Sequence, residues 1–274
     1  MRPPPPTQMQ ELKPAVPRPL IPRICVHAVE GFGKTSLAAY APAPYVLMGK
    51  GEAGYATLLS AGLVPAVPAI EVARWIDLLS LLSQLARDPQ GRKTLVLDTI
   101  GSFERLCHEH ICAKEFKGDW GERGFTAYQR GYDIAASEWT GMLSSLDEVR
   151  RRGVTILLLA HSRIATYKNP LGADFDRFVP DVHTKTWAPT HRWCDAVLFG
   201  NFFTVIDDEK RAKRTGRGTG IGGTDRILYT EHRDGYDAKN RFGMEPELWM
   251  DGGPSAAWPA LWNAIVRKDK KNVV

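Results

Sequence analysis

Residues 24–36 read ICVHAVEGFGKTS, and this stretch decides the fold. Ile24 to Val29 is a short, mostly apolar run rich in β-branched residues, the composition of a buried strand. Glu30, Gly31, Phe32 and Gly33 make a turn, and Lys34, Thr35 and Ser36 open a helical pattern. A glycine-rich turn between a strand and a helix is a phosphate-binding device, because successive backbone N–H groups wrap the phosphates and the helix N-terminus adds partial positive charge. Residues Glu30, Gly31, Phe32, Gly33, Lys34, Thr35 and Ser36 are therefore the expected nucleotide contact, with Lys34 on the outer phosphates and the Thr35 hydroxyl on Mg2+. Gly31 and Gly33 let the backbone curl towards the ligand with no Cβ in the way. The full loop pattern has glycine at position 28, where this chain carries Ala28.

A loop of this kind needs carboxylates beside it. Thr94 to Asp98, TLVLD, reads as a buried strand ending in an acid, and Asp98 is expected to hold the magnesium water shell opposite Thr35. Hydrolysis also needs a group to orient or deprotonate the attacking water. Glu52, just past the strand YVLM at 45–48, is the candidate because neighbouring strand ends converge on one crevice in such a sheet. Glu30, within the loop, is the alternative.

Outward from the loop, short apolar runs alternate with longer helical patterns, the signature of a parallel sheet built from βα units. Helices are expected from Glu71 to Ala86, from about Ser102 to Lys114 and from about Ile134 to Arg151, and VTILLLA at 154–160 is a buried strand ending at His161. From about Trp193 the pattern is more antiparallel, with AVLFGNFFTVI and RILYTEH flanking a basic, glycine-rich loop. Eight of the first 22 residues are proline, which rules out helix or central strand there. The expected division is an extended proline-rich tail over 1–22, one ATPase-type domain over 23–266 and a basic tail over 267–274.

The net charge of +5 is carried by the ends, since residues 1–22 sum to +2 and residues 267–274 to +3. A nucleic-acid footprint must then come from local patches and tails. Hydrophobic content of 43% suits a folded core, and no apolar run is long enough for a membrane span, so a cytoplasmic protein with no membrane partner is expected. The four cysteines form no CxxC pair, which suits a reducing compartment. The one metal-like cluster, CHEHIC at 107–112, falls in a helical pattern and reads as a partly buried helix rather than a zinc site.

Together these motifs resemble the RecA-like branch of P-loop ATPases, and within it the small phage-encoded recombinases of the Sak-four group. The resemblance spans about residues 23–252 and rests on VEGFGKTSLAAYAPAPYVL followed by Glu52, on LVLDTIGSF, on LLLAHSR and on DAKNRFGMEPE. It implies an α/β, RecA-like core with a mainly parallel sheet between helices, an antiparallel extension towards the C-terminus, and ATP with Mg2+ as ligands. It supports Glu52 over Glu30 as the catalytic glutamate. It also implies that His161 senses the γ-phosphate and passes that state to a DNA-binding loop. Lys239 and Arg241, in DAKNRFG, are similar to the K-x-R element that ring-forming relatives insert into a neighbouring subunit's site.

Two loops on the ligand edge are long enough to meet a polymer. In the first, residues 114–133, aromatic and basic residues interleave, and Arg123, Phe125, Tyr128 and Arg130 are expected to stack on bases and meet phosphates. Tyr128 and Tyr132, four residues apart, fit a helix start equally well. The second follows His161 and carries Arg163 and Lys168 among several aspartates. A third candidate is the basic tip holding Lys213, Arg214 and Arg217, which would gain affinity through counterion release without base specificity.

The function expected on these grounds is that of an ATP-hydrolysing, single-stranded-DNA-binding recombinase or annealing protein. It would act as a homo-oligomeric ring or filament in the cytoplasm of a bacterial host, with a single-strand-binding protein as a further partner. The alternatives are a DnaB-like helicase motor and a nucleotide switch that guides assembly without turnover.

Overall fold

The computed structural model describes residues 19–207 and 219–266. Its centre is a ten-stranded sheet. The strands are β1 (Arg23–Ala28), β2 (Pro44–Gly49), β3 (Ala69–Val72), β4 (Thr94–Asp98), β5 (Thr155–Tyr167), β6 (Phe175–Pro180), β7 (Ala196–Asp207), β8 (Thr219–Tyr229), β9 (Lys239–Asn240) and β10 (Glu247–Trp249). They run in the order β10-β8-β7-β1-β5-β4-β2-β3, with β6 paired to β5 and β9 to β7. The six strands from β7 to β3 are parallel, and the pairs β7–β8, β8–β10, β5–β6 and β7–β9 are antiparallel. This is the α/β core that the sequence implied, a mainly parallel sheet between helices with an antiparallel extension.

Helices cover both faces, as a parallel sheet requires. They are α1 (Lys34–Ala39), α2 (Gly54–Ser60), α3 (Trp75–Arg87), α4 (Ile100–Phe116), α5 (Arg130–Arg151), α6 (Thr184–Trp193) and α7 (Pro254–Val266). On one face α3 to α6 bury a core in which Trp75 stacks on Trp139 at 5.9 Å, and the Trp139 indole donates to Thr190 Oγ1 at 2.8 Å. On the other face α1 and α7 pack Leu37, Ala38, Trp258, Leu261 and Ile265 against the opposite side chains of β1, β5 and β7. Alternation along β1 feeds both cores: Cys25 faces the first, Ile24, Val26 and Ala28 the second.

Four expectations need correction. The pattern starting at Glu71 is not one helix: Ala69–Val72 is a strand parallel to β2, and α3 begins only at Trp75. Alternation over four residues is too short to separate from a helix start. The stretch after His161 is not a loop, since β5 continues to Tyr167 and turns back through β6 as a hairpin, with α6 following. The segment after Trp193 is not wholly antiparallel, because Ala196–Gly200 of β7 pairs parallel with β1. Finally α5 starts at Arg130, one turn before the expected position.

Candidate nucleotide-binding site

β1 ends at Ala28, in register with His161 on β5 and with Gly200 on β7. The chain then turns through Gly31 (φ +73°) and Gly33 (φ +103°), left-handed conformations that glycine adopts without penalty, and α1 begins at Lys34. Phe32 is buried beneath the turn and meets the Phe202 ring edge-on at 6.5 Å. Gly200 makes room for this arrangement: a Cβ there would lie 2.7 Å from the Phe32 ring and 2.8 Å from Ala28 Cβ. The small residue on the neighbouring strand explains why alanine is accommodated at position 28.

Lys34 is buried, and its Nζ donates to the carbonyls of Ala28 at 3.0 Å and Val29 at 3.2 Å, so the side chain folds back across the turn. Burial lowers its pKa, opposed by the charges of Asp98, Glu30 and Glu52. Thr35 Oγ1 donates to Asp98 Oδ2 at 2.8 Å. Asp98 is itself buried at the tip of β4, and desolvation lifts its pKa to about 6 against the Thr35 hydrogen bond.

Glu52 lies past β2, held by the N-terminus of α4. Thr99 caps that helix, and its Oγ1 donates to Glu52 Oε1 at 2.7 Å, with Ser102 Oγ 3.0 Å from the same oxygen. Gly49 is needed here, because a Cβ would fall 2.3 Å from Ser102 Oγ. Glu30 is exposed at the rim of the turn and has no such support. His161 stands at the exposed end of the buried part of β5 and lines the same space.

These elements enclose a cavity of about 590 Å³. Its floor is the turn and α1, and Lys34, Thr35, Ser36, Glu52 and His161, all expected near the nucleotide, are among the residues that line it. The reading missed the opposite wall, made by Arg226 of β8, Met250 after β10 and Gly253, Pro254 and Ala257 at the start of α7. Nothing in the spacing of these residues marks them, because they reach the turn only through the antiparallel extension. A di- or triphosphate nucleotide with magnesium fits the donor set: oxygen ligands at Thr35 and Asp98 for a hard cation, a buried lysine, and a glycine turn clear of side chains.

The other expected site residues are scattered. Phe125 is fully buried among Phe116, Trp120, His108 and Tyr132, which corrects its assignment as a base-stacking residue. Tyr128 is fully exposed, with a left-handed backbone (φ +48°); Arg123 and Arg130, on either side of it in sequence, are exposed too, the latter over the Phe116 ring at 6.0 Å. Tyr132 stacks on His183 at 4.2 Å and so packs the helix start. Arg163 and Lys168 lie on the β5–β6 hairpin, paired with Asp181 and Asp174. Lys213, Arg214 and Arg217 lie outside the described residues, as do positions 1–18 and 267–274 of the two tails. The CHEHIC residues lie in α4 with both cysteines buried, and among the described residues no group could hold a metal in the manner of zinc.

Lys239 and Arg241 sit at the opposite edge of the sheet from the turn. β9 pairs with Ala196 and Val197, the register level of Ile24 and Cys25, so about 10–13 Å of strand separates them from the end of β1. Lys239 Nζ donates to the carbonyls of His191 and Arg192 at the end of α6, and Arg241 pairs with Asp195 at 3.4 Å.

The match to known families agrees with this geometry. The family described as an AAA domain matches residues 21–242. No curated protein matches the chain. Among solved structures, the flagellar accessory protein FlaH from Methanocaldococcus jannaschii is similar over 84% of this chain and 85% of its own, with 10% identity and a TM-score of 0.39. No described helix is long and apolar enough to cross a membrane. With a match over most of its length and a phosphate-binding turn facing two carboxylates, the chain belongs to the AAA domain family and is a P-loop ATPase.

Proposed function

We propose that this ATPase is a single-stranded-DNA-binding recombinase or annealing protein of the phage Sak-four kind, acting as a homo-oligomer in a bacterial host. The observation that carries the reading is continuity. β5 lines the cavity at His161 and runs on, without a break, into a hairpin that projects from the ligand edge. A change at the outer phosphate therefore has a rigid path to a polymer-sized surface. Fully exposed Tyr128, in a left-handed backbone on a segment that also exposes Arg123 and Arg130, is a second stacking platform.

In this reading Lys34 and the turn hold the phosphates of ATP, and Thr35 and Asp98 hold Mg2+. When bound, the metal neutralises charge on the phosphate oxygens. Glu52, fixed by Thr99 and Ser102, orients the attacking water and takes its proton as the new bond to the γ-phosphorus forms and the bond to the bridging oxygen breaks, leaving ADP and phosphate. Lys239 and Arg241 face away from their own turn, so any charge they contribute goes to the site of a neighbouring copy.

The test is ATP turnover with and without single-stranded DNA for the wild type, Lys34→Ala and Arg241→Ala, with particles imaged from the same samples. Turnover unaffected by DNA, together with no DNA binding at low salt, would sink the proposal. The hold that Lys239 and Arg241 keep on α6 within their own chain favours a second reading, a nucleotide switch without trans catalysis. Negligible turnover in both wild type and Glu52→Gln, with normal nucleotide binding, selects it.

A further inference from the structure

The structure assigns to Arg226 a role in nucleotide binding: its guanidinium grips the polyphosphate from the side of the cavity facing away from Asp98. The inference rests on the reading of the cavity as an ATP site.

Four observations converge on it. Arg226 is on β8, and the order β8-β7-β1-β5-β4 places it on one flank of the β1 turn while Asp98 stands on the other. Its guanidinium lies over the Phe202 ring at 5.4 Å, and Phe202 packs edge-on against Phe32 of the turn, so the cation is seated on a column that rises from the phosphate-binding loop itself. Arg226 is half-buried and lines the cavity, and among the described residues its buried Nε has no hydrogen-bond acceptor, so the guanidinium is not tied down at that atom. Its backbone carbonyl accepts from Met250 N at 2.8 Å, which fixes β10 and the start of α7 against the same wall.

The cavity then has two cationic side chains in its wall, Lys34 on the floor and Arg226 on the flank, and the N-terminus of α7 opens beside the second. A planar guanidinium suits non-bridging phosphate oxygens. Leu58, Met250, Pro254 and Ala257 leave an apolar slot for the base. Arg226 therefore distinguishes nucleotides that carry phosphates from the bare nucleoside.

Full-length wild type, Arg226→Gln and Arg226→Lys are titrated with ATP and ADP by calorimetry, and with adenosine at millimolar concentration by competition. Thermal melts check the fold. The expected result is a loss of about tenfold or more in ATP and ADP affinity for Arg226→Gln, the size of one charged hydrogen bond, with adenosine unchanged. Arg226→Lys should retain part of the affinity; if Arg226→Gln proves unfolded, a threefold or greater loss in Arg226→Lys confined to the phosphorylated ligands supports the assignment, and none overturns it. Unchanged ADP affinity, or an equal loss for adenosine, overturns the role. If the wild type fails to bind ATP, the ATP-site reading falls as well; if it binds and Arg226→Gln binds equally, only this inference falls.

Discussion

Thr35 Oγ1 donates to Asp98 Oδ2 at 2.8 Å, joining the first turn of α1 to the tip of β4 across 63 positions of sequence. The pair sets two oxygens side by side next to a buried lysine, the arrangement on which the proposed magnesium site rests. Asp98→Asn should lower ATP turnover by about 10²-fold or more, the scale of losing a preorganised electrostatic group. Mg-ATP should raise the melting temperature of the wild type, and EDTA should remove most of that gain. Turnover within a few-fold of wild type in the variant would exclude Asp98 from the metal site.

Glu52 and Ser102 separate chemistry from positioning. Glu52→Gln should keep nucleotide affinity and reduce turnover on the order of 10²–10³-fold. Ser102→Ala leaves the Thr99 hydrogen bond in place and should cost only several-fold in kcat at constant KM. Equal losses from the two variants in a single-turnover assay would contradict the assignment.

Gly200 and Ala28 should be coupled. In Gly200→Ala the new Cβ meets Phe32 and Ala28 at under 3 Å, so stability should fall by about 1–3 kcal/mol, with weaker nucleotide binding. Adding Ala28→Gly removes one of the two clashes and should restore part of the loss. Strictly additive effects in urea melts would show that the pair does not interact.

His27 sets an acid limit on stability. It is fully buried on β1, with its ring nitrogens 3.0 Å from Ser162 Oγ and 2.7 Å from the Asp237 carbonyl oxygen, and burial lowers its pKa to about 4. The unfolded chain takes up a proton near the ordinary value of about 6.5 that the folded chain refuses until about 4. Stability from this group is thus complete above pH 6.5 and declines as pH falls towards 4, by about 1.4 kcal/mol per unit. His108, also lowered to about 4 by burial, adds to the slope. Urea midpoints of His27→Asn between pH 4.5 and 7 should vary less steeply than those of wild type; identical slopes would refute the assignment.

Phe125 and Tyr128 should part company. Phe125→Ala removes a fully buried ring and should destabilise the fold by about 3–5 kcal/mol. Tyr128→Ala should leave stability within about 0.5 kcal/mol while weakening binding of labelled single-stranded DNA, read by anisotropy. Unchanged DNA affinity in Tyr128→Ala would remove the loop from the proposed interface.

Much of the core was legible because its signals are local. ICVHAV and TLVLD are mostly apolar runs of the kind a strand buried on both faces needs, and GFGKTS carries its turn chemistry in adjacent residues. The hairpin after His161 was read as a loop because it is half-exposed and its larger apolar residues, Ile164 and Tyr167 on one strand and Phe175 and Phe178 on the other, fall three apart and do not alternate. Pro259 likewise breaks the helical pattern of α7, although the helix forms around it by packing Trp258, Leu261 and Ile265 on the sheet.

The sequence by itself determined the phosphate-binding turn, the strands that carry Asp98 and His161, and the placement of Glu52 after β2, since each depends on neighbours within a few residues. Only the tertiary structure decided that Phe125 is core and Tyr128 surface, that Gly200 accommodates Ala28, that Lys239 and Arg241 stand at the far edge from their own turn, and that Arg226 closes the cavity. Those facts depend on which strands become neighbours, and strand order is set by the packing of whole layers, which no local stretch of residues encodes.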